Sequence, residues 1–302
     1  MALSKTFWDY AILIGLAALF AVNFPITKIA LEELSPWLVV ASRLLIAAIV
    51  LIVLMWLAKL RFPPFGKVWL FIALSAFFGH TLPFSLLSWA QQEIDAGLAA
   101  ILMATMPLFT LLLAQIFTKD EKPTRYSVSG FAIALIGIVI LFGPEKLASL
   151  ADQSLRQYAA MTAAMSYGVN AIVSKNLIDL AWQQSTAAFM TLAFFMSLPM
   201  LVWVDFKTVS AEPIVWSAVV YSGLVPTALA SAIILVIIRR TSASFLSQIN
   251  FLVPVFGVLF SIALVGEVLP PDGLLALIII LLGVAITRRR PKRTVLSINK
   301  GL

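Results

Sequence analysis

Eight stretches of this chain carry no Asp, Glu, Lys or Arg at all: residues 10–27, 68–92, 96–118, 126–144, 157–174, 180–204, 213–238 and 241–266. Residues 34–58 form a ninth apolar run, interrupted only by Arg43. Residues 273–287 form a short tenth, which needs interfacial residues such as Leu269 to complete it. Crossing a hydrocarbon core takes roughly 20 helical residues, so the pattern predicts ten transmembrane helices. The runs are continuously apolar, whereas a membrane strand alternates over about ten residues, so barrel strands are excluded. The first run follows Lys5 but is longer than a typical signal-peptide core, and it is read as a retained helix. The longest connection, from Pro144 to Arg156, leaves no room for a further soluble domain, which places the function within the membrane.

The same pattern repeats at a spacing of 147 residues. At that offset Asn23 falls on Asn170, Lys28 on Lys175, Trp56 on Trp203, Trp69 on Trp216, Pro107 on Pro254, Phe109 on Phe256 and Pro123 on Pro270. Gly137 and Gly283 match at 146. The expected organisation is a first five-helix repeat over residues 1–147 and a second over 148–302, together one integral membrane unit. Five is odd, so the second copy must enter the membrane from the opposite side, and the two are related by inversion. Inverted repeats suit a carrier, because exchanging the two halves' conformations turns an outward-open molecule into an inward-open one.

Composition agrees with the pattern and adds an orientation. The chain is 62% hydrophobic and 12% charged, with net charge +7, against about 25% charged residues in soluble domains. Lys and Arg gather on the cytoplasmic side of membrane proteins. With the N-terminus inside, sixteen of the 21 fall on the inner side and four outside, with Arg43 inside a span. Both termini are therefore expected in the cytoplasm. The basic tail from Arg288 to Lys300 reads as an anchor beside anionic lipid, not as a nucleic-acid site. With no cysteine in the chain, disulfides and thiolate metal sites are excluded.

Several segments also resemble a known family. Residues 17–57 (AALFAVNFPITKIALEELSPWLVVASRLLIAAIVLIVLMWL) resemble the first helical pair of the EamA-type repeat of the drug/metabolite transporter superfamily. Residues 97–142, with Met-Pro-Leu-Phe and the Lys-Asp-Glu-Lys-Pro turn, resemble its last two helices, and residues 243–287 repeat this with Leu-Val-Pro-Val-Phe and Gly-Glu. The resemblance implies a ten-helix exporter or importer of small metabolites with a central cavity lined from both halves. In place of the family's usual tryptophan-glycine pair in the first helix stands Phe20-Ala21.

Candidate chemistry lies where polar residues interrupt the spans. Pro107 and Pro254 each lack an N–H and so free a carbonyl four residues earlier, on Met103 and Asn250. Pro83 and Pro226 do the same for Gly79 and Ser222. Each is either a packing kink or a hinge presenting a carbonyl to a cavity, which lipid alone would not tolerate. Ser247, Asn250 and Pro254 share one helical face, with Gln248 beside it. Asn23 and Asn170, with Tyr167 one turn before, are expected to line the cavity. Phe84, Trp89, Tyr167 and Tyr221 are its candidate aromatic walls. His80, the only histidine, either bonds a proline-freed carbonyl or titrates during transport. No Asp or Glu lies deep in a span, so proton coupling would fall to His80, or to Glu93 and Asp95 at the span ends. Lys28 and Lys175 either snorkel to headgroups or act as gates near Glu32, Glu33 or Asp179. Arg43, two turns into its helix, is expected to reach the outer headgroups or Glu33 in preference to binding an anionic cargo. Gly130, Ala134 and Gly137 form a small-residue stripe for close helix packing.

Enzyme classes find no support. There is no Gly-x-Ser-x-Gly, no His-Glu-x-x-His and no Gly-x-x-x-x-Gly-Lys loop, so no cofactor, metal or ATP is implied. The expectation is a secondary inner-membrane carrier that exports small metabolites or amino-acid-like solutes. Partners would be a small-molecule substrate and the bilayer, with proton coupling and a homo-oligomer both open. The alternatives are a membrane enzyme, a channel or lipid-binding scaffold, or a carrier of drug or nucleotide-sugar-like cargo.

Overall fold

The computed structural model describes residues 7–117, 125–142, 152–177, 179–206, 209, 212–230, 233, 249–268 and 271–287. Within them the chain is all helical. The spans are α1 (Phe7–Ala30), α2 (Pro36–Leu57), α3 (Val68–Ala90), α4 (Ala96–Met103 continued by Met106–Phe117), α5 (Arg125–Phe142), α6 (Asp152–Val173), α7 (Trp182–Trp203), α8 (Pro213–Leu229), α9 (Ile249–Val265) and α10 (Pro271–Thr287). Among the described residues, α1, α2, α3, α4 and α7 are both long and apolar enough to cross a membrane, while α5, α8, α9 and α10 are apolar but shorter. α6 has 22 residues, and its opening turns carry Asp152, Gln153, Ser154, Arg156 and Gln157. The 241–266 run is described as helix only from Ile249.

Local signals explain the ends. Ser35 caps α2 by accepting the Leu38 N–H at 3.3 Å, with Pro36 at the first helical position, where the missing N–H costs nothing. α2 stops at Lys59, which takes φ +57° while Leu60 N–H reaches back to the Met55 carbonyl, a helix-ending turn made here without glycine.

Three helices of the first half pack against their own counterparts: α2 on α7, α4 on α9, α5 on α10. The contacts fix their relative direction. Trp37 at the start of α2 lies 5.8 Å from Trp203 at the end of α7. Glu267, just past α9, reaches Ala96 at the start of α4. Gly137, late in α5, abuts Ile280 and Ala276, while Gly283, late in α10, abuts Ala134 and Gly130. All three counterpart pairs are antiparallel, which is what two inverted repeats about a two-fold axis require. The remaining contacts exchange across the same axis, α6 packing on α4 as α1 packs on α9.

The small-residue stripe of α5 has a direct reason. A Cβ built on Gly283 would stand 2.6 Å from both Ala134 N and Gly130 O, and one on Gly137 would stand 2.8 Å from Ile280 and 3.0 Å from its backbone N. Only glycine allows this separation, and without a hydrophobic drive between helices in lipid, close packing supplies the cohesion. The matched Trp56 and Trp203 end α2 and α7 and are 64% and 68% exposed, suited to the two membrane interfaces.

Candidate functional site

Backbone irregularities converge on the centre of the bundle. α1 is interrupted at Val22, immediately before Asn23. α3 widens into a π turn at Phe77–Thr81 and α8 into another at Gly223–Leu229. π turns are under 1% of residues, yet the first, moved by 147, falls inside the second. α4 breaks at Ala104–Thr105, just before Pro107, and α9 carries Pro254 inside its helix. Pro226 lies within its π turn, and Pro83 lies two residues after the other. These two prolines are 143 apart, so the element that recurs in register is the wide turn, not the proline.

The wide turns free equivalent carbonyls, which equivalent side chains take up. His80 Nδ1 lies 3.2 Å from the Ser75 carbonyl, and Thr227 Oγ1 donates to the Ser222 carbonyl at 2.8 Å. Residues 75 and 222, like 80 and 227, are repeat counterparts. A carbonyl only accepts, so Nδ1 of His80 carries a proton and donates it. The partner of His80 is thus the Ser75 carbonyl just before the π turn, not the Gly79 carbonyl freed by Pro83. The ring stacks on Phe189 at 4.7 Å and meets Phe84 edge-on at 5.7 Å.

Between these irregular segments lies a cavity of about 480 Å³. Its walls come largely in pairs 147 residues apart: Phe20 with Tyr167, Asn23 with Asn170, Arg43 with Met190, and Gly79 with Pro226. His80 pairs with Thr227, Met103 with Asn250, and Met106 with Val253. The cavity therefore straddles the pseudo-two-fold axis. Asn23 and Asn170 form the one chemically identical pair. Both amide oxygens are buried without a hydrogen-bond partner, and buried polar atoms are rarely left so. Phe84, Gln91 and Pro254 also line the cavity.

Of the sequence candidates, Asn23, His80, Phe84, Met103, Tyr167, Asn170, Asn250, Pro226 and Pro254 line this cavity, and Trp89, Tyr221, Pro83 and Pro107 do not. Trp89 is covered by Arg156, whose guanidinium sits 3.8 Å over its ring and donates to its carbonyl. Tyr221 precedes the α8 π turn and does not reach the cavity. Ser247 and Gln248 lie outside the described residues, and of Lys175 only the backbone is described.

Arg43 overturns its expectation. It is 7% exposed, lines the cavity, donates from Nε to Thr227 Oγ1 at 2.9 Å and lies 4.0 Å over the Phe84 ring. The cause is Gly223: a Cβ there would sit 2.8 Å from Ile46 and 3.0 Å from the Arg43 carbonyl. With glycine, α8 presses onto α2 and carries Thr227 to the arginine. The guanidinium is thereby held from α8 and kept from the headgroups. A charge inside a span is a functional candidate on general grounds, and that signal could have found it. Gln91, whose Nε2 donates to the Phe24 carbonyl at 3.0 Å, was also missed.

Lys28 does not meet a carboxylate. Its Nζ donates to the Gln91 and Ile94 carbonyls at 2.8 and 3.0 Å, capping the end of α3, where cations are favoured. Arg156 pairs with Glu93 at 3.7 Å. Glu267 accepts the N–H groups of Ala96 and Gly97 at 2.6 and 2.8 Å, capping α4, whose own Asp95 makes no cap bond. Three segments distant in sequence thus fasten the α3–α4 junction. Glu93 and Asp95 lie at the exposed junction, away from the cavity. Among the described residues no cluster of His, Cys, Asp and Glu could hold a metal.

Known proteins agree with this geometry. The model of the EamA-like transporter family matches twice, over residues 7–143 and 157–289. A protein of Streptantibioticus cattleyicolor named a probable terminal-alkyne amino-acid exporter is 25% identical over 291 residues, 96% of this chain and 95% of its own. A probable amino-acid metabolite efflux pump of Salmonella typhimurium is 25% identical over 88% of this chain and 90% of its own. One crystal structure shares the fold with a TM-score of 0.67 over 91% of this chain and 96% of the other, at 17% identity.

Proposed function

Since this chain belongs to the EamA-like transporter family, and is a membrane transporter and not an enzyme, we propose that it is a secondary carrier that exports small amino-acid-like solutes by alternating access. The observation that carries the reading is the paired lining of the cavity: a binding site built from both inverted halves can be exposed to either face by exchanging their conformations. The interrupted helices supply the weak points for that exchange, because a wide turn or a break leaves backbone groups that re-pair at little cost. The names of the two relatives support the cargo class and the direction. With the termini in the cytoplasm of an inner-membrane protein, as the Lys and Arg bias supports, the fastened α3–α4 junction faces outward, and its contacts would hold that side shut.

The unpartnered oxygens of Asn23 and Asn170 offer acceptors to a solute's N–H groups. His80, bonded to the Ser75 carbonyl, lines the cavity and is the candidate for any proton coupling. Counterflow tests the proposal. Proteoliposomes loaded with unlabelled L-leucine or L-phenylalanine are expected to take up the labelled compound faster than empty ones. Asn170→Ala and Asn250→Ala should each weaken the apparent affinity by about tenfold, the worth of a lost hydrogen bond in a closed site. Absence of trans-stimulation by amino acids, nucleosides and cationic drugs alike would contradict a carrier. Unchanged affinity in both folded variants would contradict the site.

A further inference from the structure

The cavity is charged, and among the described residues its charge has no counter-ion. Arg43 is buried, and no acceptor among the described residues meets its Nη hydrogens: Thr227 takes only Nε, and Phe84 takes only a face of the guanidinium. None of the described lining residues is Asp, Glu or Lys. Arginine keeps its proton even when buried, and a buried charge without a partner is strongly unfavourable. The guanidinium presents two remaining nitrogens in the fork geometry that matches a carboxylate. The repeat makes the placement one-sided, because the counterpart of Arg43 is Met190, which also lines the cavity. One half thus offers a cation where the other offers a thioether, and the identical amides of Asn23 and Asn170 offer acceptor oxygens to both.

From this juxtaposition we infer that Arg43 is the carboxylate-binding residue of the carrier and fixes a single orientation of its cargo: carboxylate on Arg43, N–H donors towards the asparagine oxygens, and an uncharged side chain against the methionines and Phe20. The cargo is a monocarboxylate bearing an amino group, not a cationic amine and not a dicarboxylate. The inference rests on the carrier reading proposed above and sharpens it.

The test is a competition series in the counterflow assay, with labelled L-phenylalanine as probe and L-phenylalanine, L-phenylalaninamide, phenethylamine and 3-phenylpropanoate as competitors. The wild-type protein is expected to favour L-phenylalanine over its amide by about 10- to 100-fold and to ignore the amine. Arg43→Met restores the residue type of the repeat counterpart and removes a buried charge, so the fold should hold. It is expected to level acid and amide while L-phenylalanine exchange falls. Arg43→Lys, with its charge but without the fork, should retain part of the preference. A role confined to packing would lower exchange of all competitors together and leave their ratio intact. Equal competition by acid and amide in the wild type, or an acid preference surviving in Arg43→Met, overturns the assignment. Exchange of labelled 3-phenylpropanoate, used as a second probe, without exchange of L-phenylalanine would sustain Arg43 and remove the amino-acid reading. Exchange of none of the series would remove both.

Discussion

Gly283→Leu is expected to leave little folded protein in the membrane. A side chain at this position has nowhere to go: the first added carbon would meet Ala134 N and Gly130 O at 2.6 Å and the Ala134 methyl at 2.7 Å. Two of those neighbours are backbone atoms of α5, so relief requires α5 and α10 to separate along their length. Overpacking that a core can absorb costs about 1–3 kcal/mol. Here the clash is with backbone, and the loss approaches the whole of a stability that is typically about 5–15 kcal/mol. Gly15 supplies the internal control, since a Cβ there meets nothing within 4 Å. Detergent-solubilised Gly283→Leu should elute as aggregate or melt at least about 10 °C below wild type, while Gly15→Leu matches it. Wild-type melting of Gly283→Leu would mean that the α5–α10 contact is not as close as described.

Glu267→Ala is expected to open the α3–α4 side. The carboxylate closes two N–H groups at the start of α4, and bonds to a charged acceptor contribute about 1.5–3 kcal/mol each when shielded. Discounted for the partial exposure of this residue, their joint loss still shifts the balance between closed and open forms by roughly 10- to 100-fold. Gln in place of Glu removes the charge and leaves one acceptor oxygen, so it should give an intermediate shift. The measurement is the rate at which an impermeant thiol reagent, added on that side, reaches a cysteine placed at Met106. An unchanged rate in Glu267→Ala would show that the contact caps a helix without holding the junction shut.

Much of the fold was legible because its causes are spread along the chain. Long uncharged runs have only one stable form in lipid, and residues as rare as Trp56 and Trp203 betray a duplication. The odd helix number required inversion, and the antiparallel α2–α7, α4–α9 and α5–α10 pairs follow from it. The lining of the candidate site was legible where the same duplication marked it: Asn23 and Asn170 stand out as matched amides in apolar spans. It was not legible where long-range packing decides. Arg43 is held by Thr227, 184 residues away, through a close approach that Gly223 permits, and helical depth alone cannot foretell that. Trp89 looked like a cavity wall because it is aromatic, yet Arg156 from the other half covers it. The prolines signalled weakened helices in α3 and α8. The in-register π turns stayed hidden because they are set by the Ser75 and Ser222 carbonyls and the side chains five residues on.

The central claim is that one cavity on the pseudo-two-fold axis opens to each face in turn. The chain contains no cysteine, so Met106→Cys gives a single reporter in the cavity wall without background. The account predicts that a membrane-impermeant maleimide labels it in both right-side-out and inside-out vesicles, and that transported solute slows labelling from each side. Labelling confined to one side under all solute conditions, or to neither, would contradict it.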